Sequence, residues 1–161
     1  MAEISLQAQI PHNHCFGCGP ANEAGLNLES FATGEGIFVA RFEPQPHHCA
    51  APTHFVNGGI LATLIDCHCI CSAYAAGYRD ADRPMGSLPA MHFVTGEMTL
   101  QYLRPAPIDA ALNLEAEIFA KIDNGYRVSC RLSAGTKLCV TGEVRAVRVS
   151  DSWMKKKTTA Q

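Results

Sequence analysis

The sequence predicts an α+β fold in which one long central helix is wrapped by a curved antiparallel sheet. Residues from Gly58 to about Ala76 are apolar on nearly every side, as expected of a helix that is buried all round. Several segments after this helix alternate apolar and polar residues, which is the pattern of half-buried strands. Because no other segment is long enough to cover the helix, we expect the sheet to curl around it.

The length of 161 residues suits one compact core. We predict a single domain over residues 26–150, an N-terminal loop segment over 1–25 that packs on it, and a flexible C-terminal tail over 151–161. Hydrophobic residues make up 47% of the chain and charged residues only 17%. A surface this poor in charge favours burial between copies of the chain, so we predict a homo-oligomer, either a dimer or a dimer of dimers.

Charge and targeting signals narrow the class of protein. A net charge of −2 provides no general attraction for nucleic acid or for an anionic membrane. The opening MAEISLQAQIPHNH is polar and mixed, so we expect neither a signal peptide nor a membrane span. The eight cysteines are then expected to be mostly reduced thiols. We predict a cytoplasmic protein with no nucleic-acid or membrane partner.

The elements follow in chain order. Two short alternating runs flank Gly34-Glu35-Gly36, which predicts a hairpin. After a proline-rich stretch over 44–56, the helix begins behind Asn57, and we expect it to end at Gly77, since glycine favours a helix C-terminus. Four alternating segments then predict a four-strand antiparallel meander, with a tight turn at Asp123-Asn124-Gly125, because Asn-Gly accepts the positive φ angles of a primed turn.

The start of the helix has the properties of an oxyanion site. Asn57 is a favoured N-cap residue. Gly58 and Gly59 occupy the first turn, where N–H groups lack intrahelical partners and lie at the positive end of the helix dipole. Neither glycine has a Cβ that would keep a ligand away. The alternative is a capped helix start with two glycines for tight packing.

Asp66 is the only ionised side chain of the predicted helix. Burying an unpaired carboxylate costs several kcal/mol, so Asp66 is a candidate for function; the alternative is a structural acid hydrogen-bonded to the backbone or to a partner helix. Asp66 lies eight residues after Gly58, which corresponds to about 12 Å of helix rise. We infer that a carboxylate acting with Gly58 comes from a second subunit.

Three segments resemble the hotdog-fold acyl-CoA thioesterases of the PaaI-like branch. NGGILATLIDCHCICSAY resembles their central-helix motif, usually written as His-Gly-Gly, six residues, then Asp or Glu. TGEMTLQYLRPAP is similar to the strand that follows, and CFGCGPANEAGLNL resembles an N-terminal segment common among members. Together they cover most of the chain in the right order, and they imply a hotdog fold.

The resemblance implies hydrolysis of an acyl-CoA or a related thioester, without a cofactor. In the family, the amide matching Gly58 polarises the thioester carbonyl, and the acid matching Asp66 acts as general base or nucleophile from the neighbouring subunit. Thr95 falls where related enzymes have a Ser or Thr that helps position the water. The sequence departs from the family at Asn57, where histidine is usual.

The resemblance also implies substrate-binding residues. Gly59 accompanies Gly58 at the helix start, and Arg104 lies at the strand end where such proteins often hold the nucleotide. The stretch HHCAAPTH stands where some members have an asparagine, and we take His54 as its candidate substitute, with His47 and His48 as alternatives.

Two other functions fit the same fold. A hotdog hydratase or dehydratase would pair an acid with a catalytic histidine, in motifs that this sequence lacks. A non-catalytic module that binds acyl-CoA would need no base, and Asn57 in place of histidine favours it. Turnover of an acyl-CoA, as opposed to binding alone, separates these functions.

A cysteine and histidine cluster, HNHCFGCG, opens the chain with His12, His14, Cys15 and Cys18. Cys-x-x-Cys is half of many zinc sites, but a second half is missing unless folding supplies it from His47, His48, Cys49 or His54. We favour a structural turn, keep zinc and a redox pair as alternatives, and assign no metal ligand. Cys67 and Cys71 share a face of the helix and are interpreted as core residues.

Overall fold

The computed structural model describes residues 3–34 and 36–155. Its strands and helices are β1 (Ser30–Ala32), β2 (Ile37–Phe42), α1 (Gly58–Asp80), β3 (His92–Tyr102), β4 (Leu112–Ile122), β5 (Gly125–Ala134), β6 (Lys137–Val149) and α2 (Asp151–Met154). The strands form one antiparallel sheet in the order β1-β2-β4-β5-β6-β3. Helix α1 contacts every strand of this sheet, so the predicted α+β fold with a wrapped central helix is confirmed.

The core lies between α1 and the concave side of the sheet. Leu64, Ile65 and Cys69 of α1 are fully buried, as are Val128 and Val140 of the sheet. By length and composition alone α1 would suit a membrane span. Its burial under the sheet identifies it as the core helix of the fold.

Helix α1 continues past its predicted end. The prediction that it stops at Gly77 is wrong, because the helix runs on to Asp80. A Cβ at position 77 would lie 2.8 Å from the ring of Phe93. Glycine is therefore required at this position for the close approach of β3, and it does not terminate the helix.

The chain after β6 starts with a helical turn. Ser150 caps α2 by accepting a hydrogen bond from the backbone N–H of Trp153, and His92 lies 2.6 Å from the carboxylate of Asp151. The predicted flexible tail over 151–161 thus begins with an ordered turn, and residues 156–161 lie outside the described part of the chain.

The predicted four-strand meander is wrong at its first strand. Of the four strands after α1, only β4, β5 and β6 pair consecutively, whereas β3 pairs with β6 and forms one edge of the sheet. The segment from β3 to β4 contains Pro105 and Pro107 and pairs with the chain before α1, where Phe55 bridges to Pro107. The segment therefore does not form a tight turn between β3 and β4, and within the described part of the chain β3 has a strand partner on one side only.

Both predicted hairpins are present. The β1–β2 connection places Gly34 and Gly36 at φ of 90° and 78°, where glycine is favoured. The β4–β5 turn is tight, but Asn124 does not adopt the positive φ of a primed turn. Gly125 is required there for a different reason, since a Cβ would lie 1.9 Å from the carbonyl oxygen of Ala146.

A buried polar network joins the N-terminal segment to α1. Gln7 donates from Nε2 to Ser30 Oγ, and Ser30 Oγ lies 2.8 Å from His68 Nδ1. His68 Nε2 lies 3.1 Å from the carbonyl oxygen of Phe38, so the network fits a neutral ring protonated on Nε2. Burial lowers the pKa of His68 to about 4. The imidazole is therefore a satisfied core group.

We expect this histidine to make stability depend on pH. In the unfolded chain it takes up a proton near pH 6.5, whereas in the folded chain it does so at about 4. The free energy of unfolding should therefore fall by about 3 kcal/mol as the pH drops through this window. Urea unfolding of the wild type and of His68→Gln at several pH values would measure the difference, because glutamine keeps a donor and an acceptor but does not titrate.

His54→Gln is the matched control, because it makes the same change at an exposed histidine. Parallel pH profiles for the wild type and His68→Gln would contradict the prediction.

Candidate active site

The first part of the candidate site is the start of α1. Asn57 Oδ1 accepts hydrogen bonds from the N–H of Gly59 at 2.8 Å and of Ile60 at 3.3 Å, which confirms the predicted N-cap. The N–H of Gly58 has no partner among the described residues. Tyr102 donates from its hydroxyl to the Gly58 carbonyl at 2.8 Å. We call Asn57, Gly58 and Tyr102 the amide half-site.

The two glycines of this half-site are not equivalent. The cap occupies the N–H of Gly59, so only Gly58 presents a free donor. A Cβ at position 58 would make ordinary contact with Tyr102 at 3.6 Å, and one at position 59 would lie 3.0 Å from Asn57 Oδ1. The sequence did not point to Tyr102, because its contact spans 44 residues.

The second part of the candidate site is the middle of α1. Asp66 is half-buried there, less enclosed than the sequence predicts, and the hydroxyl of Thr95 donates a hydrogen bond to its Oδ1. Desolvation raises the pKa of Asp66, and the hydrogen bond from Thr95 partly opposes this rise. We call Asp66 and Thr95 the acid half-site.

The acid half-site borders a cavity of about 270 Å³. Its walls combine apolar side chains and thiols, namely Ile10, Cys15, Cys18, Cys67, Ile70, Cys71, Tyr74 and Phe93. Apart from Asp66, the ionisable groups on the wall are thiols and a phenol. A carboxylate that faces such a cavity is poised for proton transfer with a molecule bound there.

A β-bulge lets one strand serve both half-sites. The pairing of β3 with β6 shifts between Thr95 and Glu97, with Gly96 as the extra residue. Strict alternation would place Thr95 and Tyr102 on opposite faces of the sheet, because they are an odd number of residues apart. The bulge resets the alternation, so that Thr95 reaches Asp66 and Tyr102 reaches Gly58.

The structure places the other predicted binding residues elsewhere. Arg104 donates to the carbonyl of Leu138 at 3.0 Å and lines a groove of about 630 Å³ with Phe55 and Lys137. His54 is exposed and its ring packs 4.1 Å from that of Phe55. Neither Arg104 nor His54 lines the cavity beside Asp66.

Sequence reasoning missed the grouping of four cysteines. Cys15 and Cys18 of the N-terminal segment lie against Cys67 and Cys71 of α1, and we call these four the thiol cluster. The neighbouring thiols donate hydrogen bonds to Cys18 and lower the pKa of its thiol. The available signal was the combination of a Cys-x-x-Cys in the N-terminal segment with a Cys-x-x-x-Cys in the predicted helix.

No family model matches the sequence, and no curated protein matches it. Among solved structures, a thioesterase superfamily protein from Shewanella loihica is 35% identical, with 86% of this chain and 96% of that chain covered and a TM-score of 0.63. The PaaI protein of the Escherichia coli phenylacetic acid degradation operon is 14% identical, with 78% and 81% covered and a TM-score of 0.62. Mouse thioesterase superfamily member 2 is 19% identical, with 78% and 84% covered and a TM-score of 0.59.

The six-strand antiparallel sheet wrapped around one long helix defines a hotdog-fold protein. The likeness to PaaI and to the mouse protein confirms this fold. The identity and coverage of the Shewanella loihica protein show more: the chain belongs to the thioesterase superfamily.

Proposed function

We propose that this protein hydrolyses an acyl-CoA or a related thioester to a free acid and a thiol. The proposal rests chiefly on the acid half-site, in which Thr95 donates a hydrogen bond to a half-buried Asp66 at the edge of a cavity. Asp66 acts as general base or nucleophile, and the free N–H of Gly58 holds the oxyanion. Membership of the thioesterase superfamily supports the reaction class.

In the general-base route, Asp66 takes a proton from a water molecule that also contacts the Thr95 hydroxyl. The oxygen of this water bonds to the thioester carbon, and the carbonyl oxygen becomes an oxyanion that accepts a hydrogen bond from the N–H of Gly58. Collapse of this intermediate breaks the carbon–sulfur bond, and the departing thiolate takes the proton from Asp66. In the nucleophile route the carboxylate of Asp66 attacks the thioester carbon, the carbon–sulfur bond breaks and the thiolate departs, and water then hydrolyses the resulting anhydride to the free acid and the Asp66 carboxylate.

The two half-sites of one chain are too far apart for this reaction, because eight residues of α1 separate Asp66 from Gly58, about 12 Å of rise. They also lie at opposite ends of β3, a long edge strand with an open side. Antiparallel pairing of β3 with its copy would place Thr95 of one chain beside the Tyr102 end of the other. A twofold axis near Met98 would thus build two composite sites in a dimer, each from an acid half-site and a partner's amide half-site.

The remaining contacts follow from this arrangement. The cavity beside Asp66 receives the acyl group, and Gly59 leaves room for the thioester next to Gly58. Arg104 and Lys137 border a groove that Phe55 also lines, and there they can attract the phosphates of coenzyme A. His54, whose ring packs on Phe55, is the remaining candidate for a contact with the substrate. Asn57 contributes to the site by capping the start of α1, since its side-chain oxygen already accepts two hydrogen bonds from the backbone. We place the protein in the cytoplasm.

Hydrolysis of a panel of short, medium and aryl acyl-CoAs, followed by chromatography of the free coenzyme A, tests the proposal. Chromatography is needed because eight cysteines would react with a thiol dye. We expect turnover of at least one acyl-CoA. Binding of acyl-CoAs without turnover of any would contradict the proposal and favour a binding module.

A further inference from the structure

The thiol cluster brings together two segments that are far apart in the sequence. The sulfur atoms of Cys15, Cys18 and Cys67 lie within 4.8 Å of one another. Cys15 and Cys67 are 3.6 Å apart, and Cys18 and Cys71 are 4.0 Å apart. Tetrahedral zinc with bonds of about 2.3 Å to sulfur separates its ligands by roughly 3.8 Å. The two close sulfur pairs have nearly this spacing.

We propose that the thiol cluster is a structural zinc site, with Cys15, Cys18 and Cys67 as ligands and Cys71 as the fourth. Four cysteine ligands in a closed tetrahedral set are typical of structural zinc in proteins. The loop supplies a Cys-x-x-Cys pair, and α1 supplies a pair four residues apart on one helix face. The site goes beyond thioester hydrolysis and does not depend on it.

The loop around the first pair is shaped to hold its sulfurs against the helix. A Cβ at Gly17 would lie 2.3 Å from Cys67 Sγ, and one at Gly19 would lie 2.4 Å from the backbone nitrogen of Cys15. The N–H of Gly19 also donates to the carbonyl of Cys15 at 2.8 Å, which closes the turn. Both glycines are therefore required for the close approach of the sulfur atoms.

The side chain of Asn13 contacts both cysteines of this loop. Its side-chain oxygen accepts from the backbone N–H of Cys15 at 3.1 Å, and its Nδ2 lies 4.0 Å from Cys18 Sγ. Groups that hydrogen-bond to metal ligands orient them and tune their basicity. Asn13 is thus placed to support Cys15 and Cys18 together.

Two other arrangements explain the cluster less well. A disulfide needs sulfur atoms about 2.05 Å apart and an oxidant, whereas all eight cysteines are free here. A simple apolar role accounts for single buried cysteines such as Cys139. It does not account for three sulfur atoms from two segments lying within 4.8 Å of one another, with that of Cys71 4.0 Å from Cys18 and with Cys15 exposed at the edge.

A metal at this point would tie the N-terminal segment to α1 directly beside the acid half-site. Cys67 follows Asp66 in the chain, and both line the same cavity. Zinc would hold the helix and the loop together on one wall of that cavity. Loss of the metal should therefore loosen residues 11–19 before the rest of the fold.

The test is the metal content of the full chain, purified under anaerobic conditions and dialysed against metal-free buffer. We expect one zinc ion per chain by plasma mass spectrometry, and replacement by Co²⁺ should give the intense ligand-field and thiolate charge-transfer bands of a tetrahedral cobalt–thiolate centre. Cys18→Ser should lose the metal to a chelator that the wild type resists, and Cys71→Ser should change the cobalt spectrum. Cys139→Ser is the matched control, a buried cysteine outside the cluster whose change should leave the metal in place.

Substoichiometric zinc in the wild type, with no cobalt–thiolate bands on titration, would overturn the proposal even if the cysteine variants fail to fold. A disulfide within the cluster in the anaerobically purified protein would do the same. A cobalt spectrum that Cys71→Ser leaves unchanged would overturn the assignment of the fourth ligand. None of these readouts depends on whether the protein hydrolyses a thioester.

Discussion

Asp66→Asn is expected to lower kcat/KM for a hydrolysed acyl-CoA by roughly a hundredfold to ten-thousandfold, the range that a positioned acid or base contributes. Asparagine has the same shape and can still accept the hydrogen bond from Thr95, but it is neutral and cannot take a proton or attack. Steady-state kinetics with chromatographic detection would measure the loss. The variant should fold as well as the wild type, because it removes a carboxylate that burial desolvates.

Thr95→Val is the companion variant that separates a catalytic Asp66 from a structural one. The hydrogen bond from Thr95 lowers the pKa of Asp66, so its removal should raise that pKa further. On the acidic side of the pH profile, kcat/KM falls because Asp66 becomes protonated. The pH at which this fall occurs should then be higher in the variant. Full activity in Asp66→Asn would show that Asp66 is a structural residue, and a fall at unchanged pH in Thr95→Val would show that this fall does not report the protonation of Asp66.

Features set by local chemistry could be predicted from the sequence. The cap at Asn57 follows from one side chain and the amides two and three residues on. The β1–β2 hairpin follows from glycines that tolerate positive φ. The long apolar run predicts α1 because only a buried helix needs no polar face. Each of these features depends on residues close together in the chain.

The parts that the sequence did not predict depend on pairing between distant segments. Local alternation is the same whether β3 pairs with β4 or with β6, so it could not place β3 at the edge of the sheet. The bulge at Gly96, which brings both Thr95 and Tyr102 to α1, depends on the register with β6. Gly77 illustrates the converse, because the glycine that locally favours a helix end is needed for the approach of Phe93.

Gly58→Pro is expected to lower kcat/KM by roughly a hundredfold to a thousandfold, the usual effect of losing one oxyanion donor. Proline has no N–H, and it is tolerated at the first position of a helix. Asn57 already has ψ of 134°, outside the helical region and within the range favoured for a residue before proline. Gly58→Ala is the matched control: it keeps the N–H, makes only ordinary contact with Tyr102 and should retain most of the activity.

Mixing the two inactive chains tests where the composite site lies. If Asp66 of one chain acts with Gly58 of its partner, a dimer of one Asp66→Asn chain and one Gly58→Pro chain contains one intact site and one doubly changed site. Random pairing after joint refolding makes half of the dimers mixed, so about one quarter of the wild-type activity should return. Each variant refolded alone should retain at most about 1% of the wild-type activity. If the mixture also stays inactive although mass spectrometry shows mixed dimers, the half-sites do not combine across the subunit boundary, and the edge pairing of β3 is not what assembles the site.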